Sequence, residues 1–177
     1  RCGQGRGCHR ATLRCALTPS GAGRDAMARQ PRLILPGHAH LLQQRGHNGQ
    51  AIVHDAADAE TWLKMLREVA ATHRVAVHAW CLTEVAFWLM ATPQHDTALS
   101  QMVQDLGRRY VAHFNSRHGR TGTLWDGRFR CAALEPGEPT LWALQVIEHE
   151  DPGDLGHSSR PHHIGVLTLP WLVDPPA

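Results

Sequence analysis

Two apolar runs separated by only two residues constrain this chain most. VAVHAWCL at Val75–Leu82 alternates apolar and other side chains, and VAFWLMA at Val85–Ala91 follows after Thr83-Glu84 alone. Alternation sends successive side chains to opposite faces of an extended strand, and so short a connection leaves room only for an antiparallel hairpin. The connection lacks the Asn-Gly or Asp-Gly pair that usually marks a tight hairpin turn, and Pro93 ends the second strand.

Amphipathic helices flank this hairpin. Over Asp55–Thr72, Trp62, Leu63, Leu66, Val69 and Ala70 recur at spacings of three and four, and Asp55 and Asp58 stand where acids complement a helix dipole. A second helix starts with Thr97 or Ser100 as its cap and runs to about Ser116. Its apolar stripe is Leu99, Met102/Val103, Leu106, Tyr110 and Phe114, which places Tyr110 against the core with its hydroxyl at the edge and leaves Arg108, Arg109 and His113 partly outside. Before the first helix, His38–Gln44 reads as a strand, followed by turn chemistry at 45–50. After the second come a loop with Gly119, Gly122 and Gly127, a strand over Arg128–Leu134, and a last helix over Thr140–Glu150 with Leu141, Leu144 and Ile147 apolar. The order is strand, helix, strand, strand, helix, strand, helix. That order predicts an α+β fold of ferredoxin-like connectivity, an antiparallel sheet with helices packed on one side.

The chain's 177 residues are enough for one domain with a real core, and 42% apolar with 19% charged residues is a globular balance. Residues 1–26 are rich in Arg, Gly and small side chains without the apolar segment of a secretory signal, so they read as a disordered arm or upstream reading frame before Met27. The expected division is therefore 1–26, a single folded domain over 27–165, and an irregular tail over 166–177. Five cysteines (Cys2, Cys8, Cys15, Cys81, Cys131) form no CxxC pair, and no apolar run is long enough to span a membrane. A reducing cytoplasm is the simplest setting.

The net charge is only +2, so affinity for a polyanion would have to come from uneven placement of charge. Leu106–Arg130, LGRRYVAHFNSRHGRTGTLWDGRFR, supplies that unevenness. It holds six arginines (Arg108, Arg109, Arg117, Arg120, Arg128, Arg130) with Tyr110, Phe114, Trp125 and Phe129, and one internal acid, Asp126. Guanidinium pairs with phosphate and rings stack on unpaired bases, so the mixture points to nucleic acid, the alternative being a solvated arginine face. Trp125 could stack a base or plug the core beneath the glycine loop.

PRLILPGHAHLLQQRGHNGQ, the hairpin ending MATP, LSQMVQDLGRRYVAHFNSRHGRTGTLWDGRFR and SSRPHHIG together resemble the single-tyrosine HUH transposases, nearest to the REP-associated tyrosine and insertion-sequence-200-like branch. The resemblance spans roughly residues 27–165. It implies a compact sheet with helices and single-stranded or hairpin DNA as partner, and it is compatible with a homodimer. It also implies a histidine pair that holds Mg²⁺ or Mn²⁺ against a scissile phosphate, and a helix-borne tyrosine that attacks that phosphate. Within it, Arg120, Arg128 and Arg130 lie in a DNA-facing segment.

Residue by residue, the implied centre is missing. Where the family's hairpin strand typically reads Leu-Met-Pro-Asn-His-Val-His-Leu, this chain has Leu82-Thr83-Glu84-Val85-Ala86-Phe87-Trp88-Leu89, so the metal histidines fall on Ala86 and Trp88. Neither side chain offers a lone pair to a metal. Where the family's last helix reads Tyr-Ile-Glu-Leu-Asn-Pro, this chain has Val146-Ile147-Glu148-His149-Glu150, and the tyrosine falls on Val146. The expectation is a degenerate member that binds DNA without a metal cofactor and does not cleave it. The alternatives are an active transposase using unaligned residues and a non-functional pseudogene product. The 14 histidines invite a metal reading at His38 with His40, or at His149, His157, His162 and His163 near Glu148 and Glu150, but pairs at such spacings arise easily in so histidine-rich a chain.

Overall fold

A computed structural model of the protein describes residues 32–154 and 157–175. The arm expected over 1–26, the start at Met27, and Cys2, Cys8 and Cys15 lie outside these residues. Five strands and four helices follow in chain order: β1 His40–Arg45, α1 Ala56–Thr72, β2 Val75–Leu82, β3 Ala86–Pro93, α2 Ala98–Arg117, β4 Arg130–Ala133, α3 Glu138–His149, β5 His157–Ser158 and α4 Arg160–His163. Every strand pair is antiparallel and the sheet order is β4-β1-β3-β2-β5. This is an α+β fold in the predicted order, extended by β5 and α4. No helix among the described residues is long and apolar enough to cross a membrane.

The hairpin forms without Asn-Gly because Thr83 replaces that signal. Its hydroxyl accepts from the Val85 and Ala86 N–H groups at 3.3 and 3.1 Å, and its own N–H donates to the Ala86 carbonyl at 2.8 Å. In the strand itself, the register slips between Val77 and Ala79. One extra residue there reverses the alternation, so Val75 and Val77 share a face with Trp80 and Leu82, while Ala79 and Cys81 face the other way. The displaced His78 is clamped by its surroundings: Nδ1 donates to the Val173 carbonyl and Nε2 accepts from the Thr92 hydroxyl, both at 2.8 Å. Val173 N–H in turn bonds Val77 O at 3.0 Å, so residues 164–175, without helix or strand, are tied to the sheet, and Leu169, Trp171 and Leu172 pack on its core.

The helices cover both faces of the sheet, not one as expected. On the first face α1 and α2 bury Trp62, Leu66, Val69, Leu99, Met102, Leu106, Tyr110 and Phe114 against Leu42, Val77, Trp80, Leu82, Phe87 and Leu89. At about 1.5–3 kcal/mol for each large apolar side chain buried, this face dominates stability. On the second face α3 sets Ala143 and Ile147 on Ala39, Ala79, Cys81 and Met90. Leu141, expected on the buried stripe of α3, is 55% exposed, because the helix starts at Glu138 and rests on Thr140, Ala143 and Ile147. Tyr110 is also corrected: its hydroxyl is fully buried and donates to the Ile52 carbonyl at 2.6 Å.

Candidate nucleic-acid interface

Where β1 leaves the sheet, the loop after α2 folds back across it. Gly46 bridges Trp125, Asp126 N–H bonds Arg45 O at 2.9 Å, and the Gln44 amide donates to Gly127 O at 3.2 Å. Trp125 then lies against α2 at Gly107, where even a Cβ would come within 3.2 Å of the indole nitrogen. Its ring meets Phe87 edge-on at 5.6 Å and Tyr110 at 6.2 Å. Trp125 therefore packs one side on the core, as one of its two expected roles requires, and its remainder lines a hollow.

That hollow has a volume of about 490 Å³ and is floored by Phe87, Val103, Trp125 and Phe129. Arg32, Arg108 and Arg128 line it, and no carboxylate does. Arg32 stacks over the Phe129 ring at 3.7 Å and donates to the Phe129 carbonyl at 2.6 Å, which fixes its guanidinium plane at the rim. Burial, and then the neighbouring Arg128 charge, pull the Arg32 pKa below its usual value, so an anion entering the hollow would relieve an existing repulsion. A smaller depression shares Gln44 and Arg128 with the first and adds Arg45 and Arg130, with Asp126 its one acid. The result is a continuous basic rim with aromatic rings beneath it.

The six arginines expected to meet DNA, alongside Trp125, separate into three groups. Arg128 and Arg130 are exposed and make no ion pair among the described residues. Arg108 is tethered to Asp105 at 3.0 Å, yet its side chain is 80% exposed, so it can swing to a ligand at little cost. Arg109, Arg117 and Arg120 are committed elsewhere. Arg109 pairs with Asp105 at 2.9 Å and Glu68 at 3.6 Å, Arg117 grips Asp55 and the buried Asp58, and Arg120 donates to Gln50 at 2.6 Å. Arg32 and Arg45 join the rim unpredicted. Arg45 ends a strand and Arg32 precedes one, and nothing local in the sequence separates such arginines from solvated ones.

The positions where the resemblance implies a cleavage centre lie on the second face of the sheet. Trp88 and Val146 line one shallow depression of about 220 Å³ with Leu41, Gln43, Arg130 and Cys131, and Ala86, two residues before Trp88 on the same strand, is buried. This depression is unfit for the implied divalent metal. It offers no imidazole or carboxylate, and burial pushes the Cys131 thiol up to about 11, so it is no thiolate at neutral pH. Tyr110 cannot stand in for the missing tyrosine, since it sits on the opposite face with its pKa raised by burial.

The histidines named from spacing do not converge. His40 is buried and internally satisfied, Nδ1 donating to His38 O at 2.8 Å and Nε2 accepting from Leu35 N–H at 3.1 Å, while His38 points to Pro36 O. His149 bonds Gln145 O and His162 meets Leu167 O; only His163 approaches a carboxylate, with Nδ1 2.6 Å from Glu148 Oε1.

No protein-family model matches the chain, and no curated protein matches it. Two solved structures are similar. A REP-associated tyrosine transposase bound to a REP hairpin aligns at 14% identity over 82% of this chain and 81% of its own, with a TM-score of 0.47. A protein from Deinococcus radiodurans R1 described as a candidate transposase aligns at 20% identity over 68% of this chain and 94% of its own, with a TM-score of 0.46. The likeness is one of chain path. What this chain does has to be read from its own residues.

Proposed function

We propose that this protein is a degenerate single-tyrosine HUH transposase that binds single-stranded or hairpin DNA and does not cleave it. The observation that carries the reading is the hollow beside α2, where three arginines meet an aromatic floor with no carboxylate among them. Phosphates pair with guanidinium groups, and an unstacked base finds a flat partner in Trp125 or in the guanidinium plane of Arg32; such stacking is worth about 1–3 kcal/mol per base. Duplex DNA would leave the rings unused. The sequence resemblance supports the same partner independently of the geometry.

The second face supports the loss of cleavage. With Ala86, Trp88 and Val146 at the three implied positions, there is neither a metal ligand nor a nucleophile there. The test is to incubate the chain with labelled single-stranded and hairpin DNA, with Mg²⁺ or Mn²⁺. Retarded complexes that vanish in denaturing detergent are expected. A detergent-resistant protein–DNA adduct would refute the cleavage half of the proposal, and absence of any complex would refute the binding half.

A further inference from the structure

At the opposite end of α2, three donor groups converge that DNA binding leaves unused. His54 precedes the α1 cap Asp55, Asp58 stands in the first turn of α1, and His118 closes α2. The ligating atoms of His54, Asp58 and His118 all lie within 4.8 Å of one another. His118 Nε2 is 2.8 Å from Asp58 Oδ2 and 3.1 Å from Oδ1.

Packing holds the groups in place. The Phe114 ring lies 4.9 Å from the His54 ring and 4.5 Å from the His118 ring, and the two imidazoles are 4.4 Å apart. The Asp58 carboxylate is fully buried. Its Oδ1 accepts from Arg117, which is itself fixed by two 2.8 Å bonds to Asp55, and its Oδ2 accepts from the His54 N–H at 3.0 Å. Arg117 thus orients the carboxylate from one side and leaves Oδ2 turned to the imidazoles, the role that outer hydrogen-bond partners play around metal-bound carboxylates.

We propose that His54, Asp58 and His118 bind a divalent transition-metal ion of the zinc class. Two imidazole nitrogens and one carboxylate oxygen are a donor set that such ions favour and that Mg²⁺ and Ca²⁺ do not. His118 Nε2 and Asp58 Oδ2 are 2.8 Å apart, and a small side-chain rotation would open them to the about 3.4 Å that separates two ligands about 2.1 Å from a tetrahedral ion. His54 is exposed, so the ion has a path in and solvent can complete its shell. The ion would pin the start of α1 to the end of α2, which makes the site structural in effect. It is separate from the DNA hollow and does not rest on the DNA reading.

The test is Zn²⁺ titration of the full chain against a chromophoric chelator, with a thermal melt at each metal concentration. One Zn²⁺ per chain and a rise in Tm are expected, and His54→Ala should weaken binding at least tenfold and abolish the rise. His54 is the informative first variant because it is exposed and its side chain makes no hydrogen bond among the described residues, so its removal costs only ring contacts with Phe114 and His118. His118→Gln is the second, and His149→Ala, at the end of α3, controls for adventitious histidine binding. No stoichiometric uptake overturns the proposal, as does a Zn²⁺-dependent Tm rise that survives both His54→Ala and His118→Gln or is lost in His149→Ala.

Discussion

One face of the sheet is met by the rings of Trp62, Tyr110 and Phe114, and the other by Ala143 and Ile147 of α3 on a floor of alanines, a cysteine and a methionine, with Trp88 packed beside them. Trp62, Tyr110 and Phe114 fill the first, with α1 and α2 behind them; Ala39, Ala79, Cys81 and Met90 make the second, under α3 alone. The basic hollow is built on the edge of the first face and shares Phe87 and Val103 with its core. The implied cleavage positions lie on the second, where α3 exposes Leu141, Trp142 and Val146. A binding surface that borrows core residues persists as long as the fold does. On the proposed reading, substitution at the half-exposed Val146 would leave the first-face core untouched.

Substitutions can break or sharpen that contrast. Trp62→Ala should cost about 3–5 kcal/mol, against about 2 kcal/mol for Ile147→Ala at the looser α3 contact, as read by chemical denaturation. Equal costs would remove the asymmetry. Arg117→Ala should destabilise the fold by less than Trp62→Ala does; it strips the buried Asp58 of one partner, but His118 and the His54 N–H remain. Burial alone would raise the Asp58 pKa, yet the His54 N–H, Arg117 and His118 together hold it below its ordinary 3.8. Because the folded value is the lower one, this stabilisation is present above about pH 4 and is lost as pH falls through the folded value. The acid limb of a stability–pH curve should therefore flatten in Arg117→Ala. Tyr110→Phe should cost about 1–3 kcal/mol by leaving the Ile52 carbonyl unpaired in the core; a neutral result would show the hydroxyl to be dispensable.

The elements were legible in the sequence because strand alternation and helical stripes are local. Their faces were less so. The bulge at His78 and the resting face of α3 depend on partners that no window contains: His78 is held by Val173, 95 residues on. The basic stretch shows the same limit. Arg117 looked as free as Arg128 until Asp55, 62 residues earlier, folded against it. Arg32 joined the hollow only because Phe129, 97 residues away, lies beneath it. Charge can be counted along a chain, but its pairing is a property of the fold.

The most direct test of the central claim is the salt dependence of single-stranded DNA binding, by fluorescence anisotropy, for the wild-type chain and for Arg32→Ala with Arg128→Ala. With about four to six phosphate contacts, log K should fall against log salt with a slope of about −3 to −4. Removing two of those contacts should make the slope shallower by about 1.4 and weaken binding at least tenfold. A double variant whose affinity and slope match the wild type would place the DNA somewhere other than this hollow.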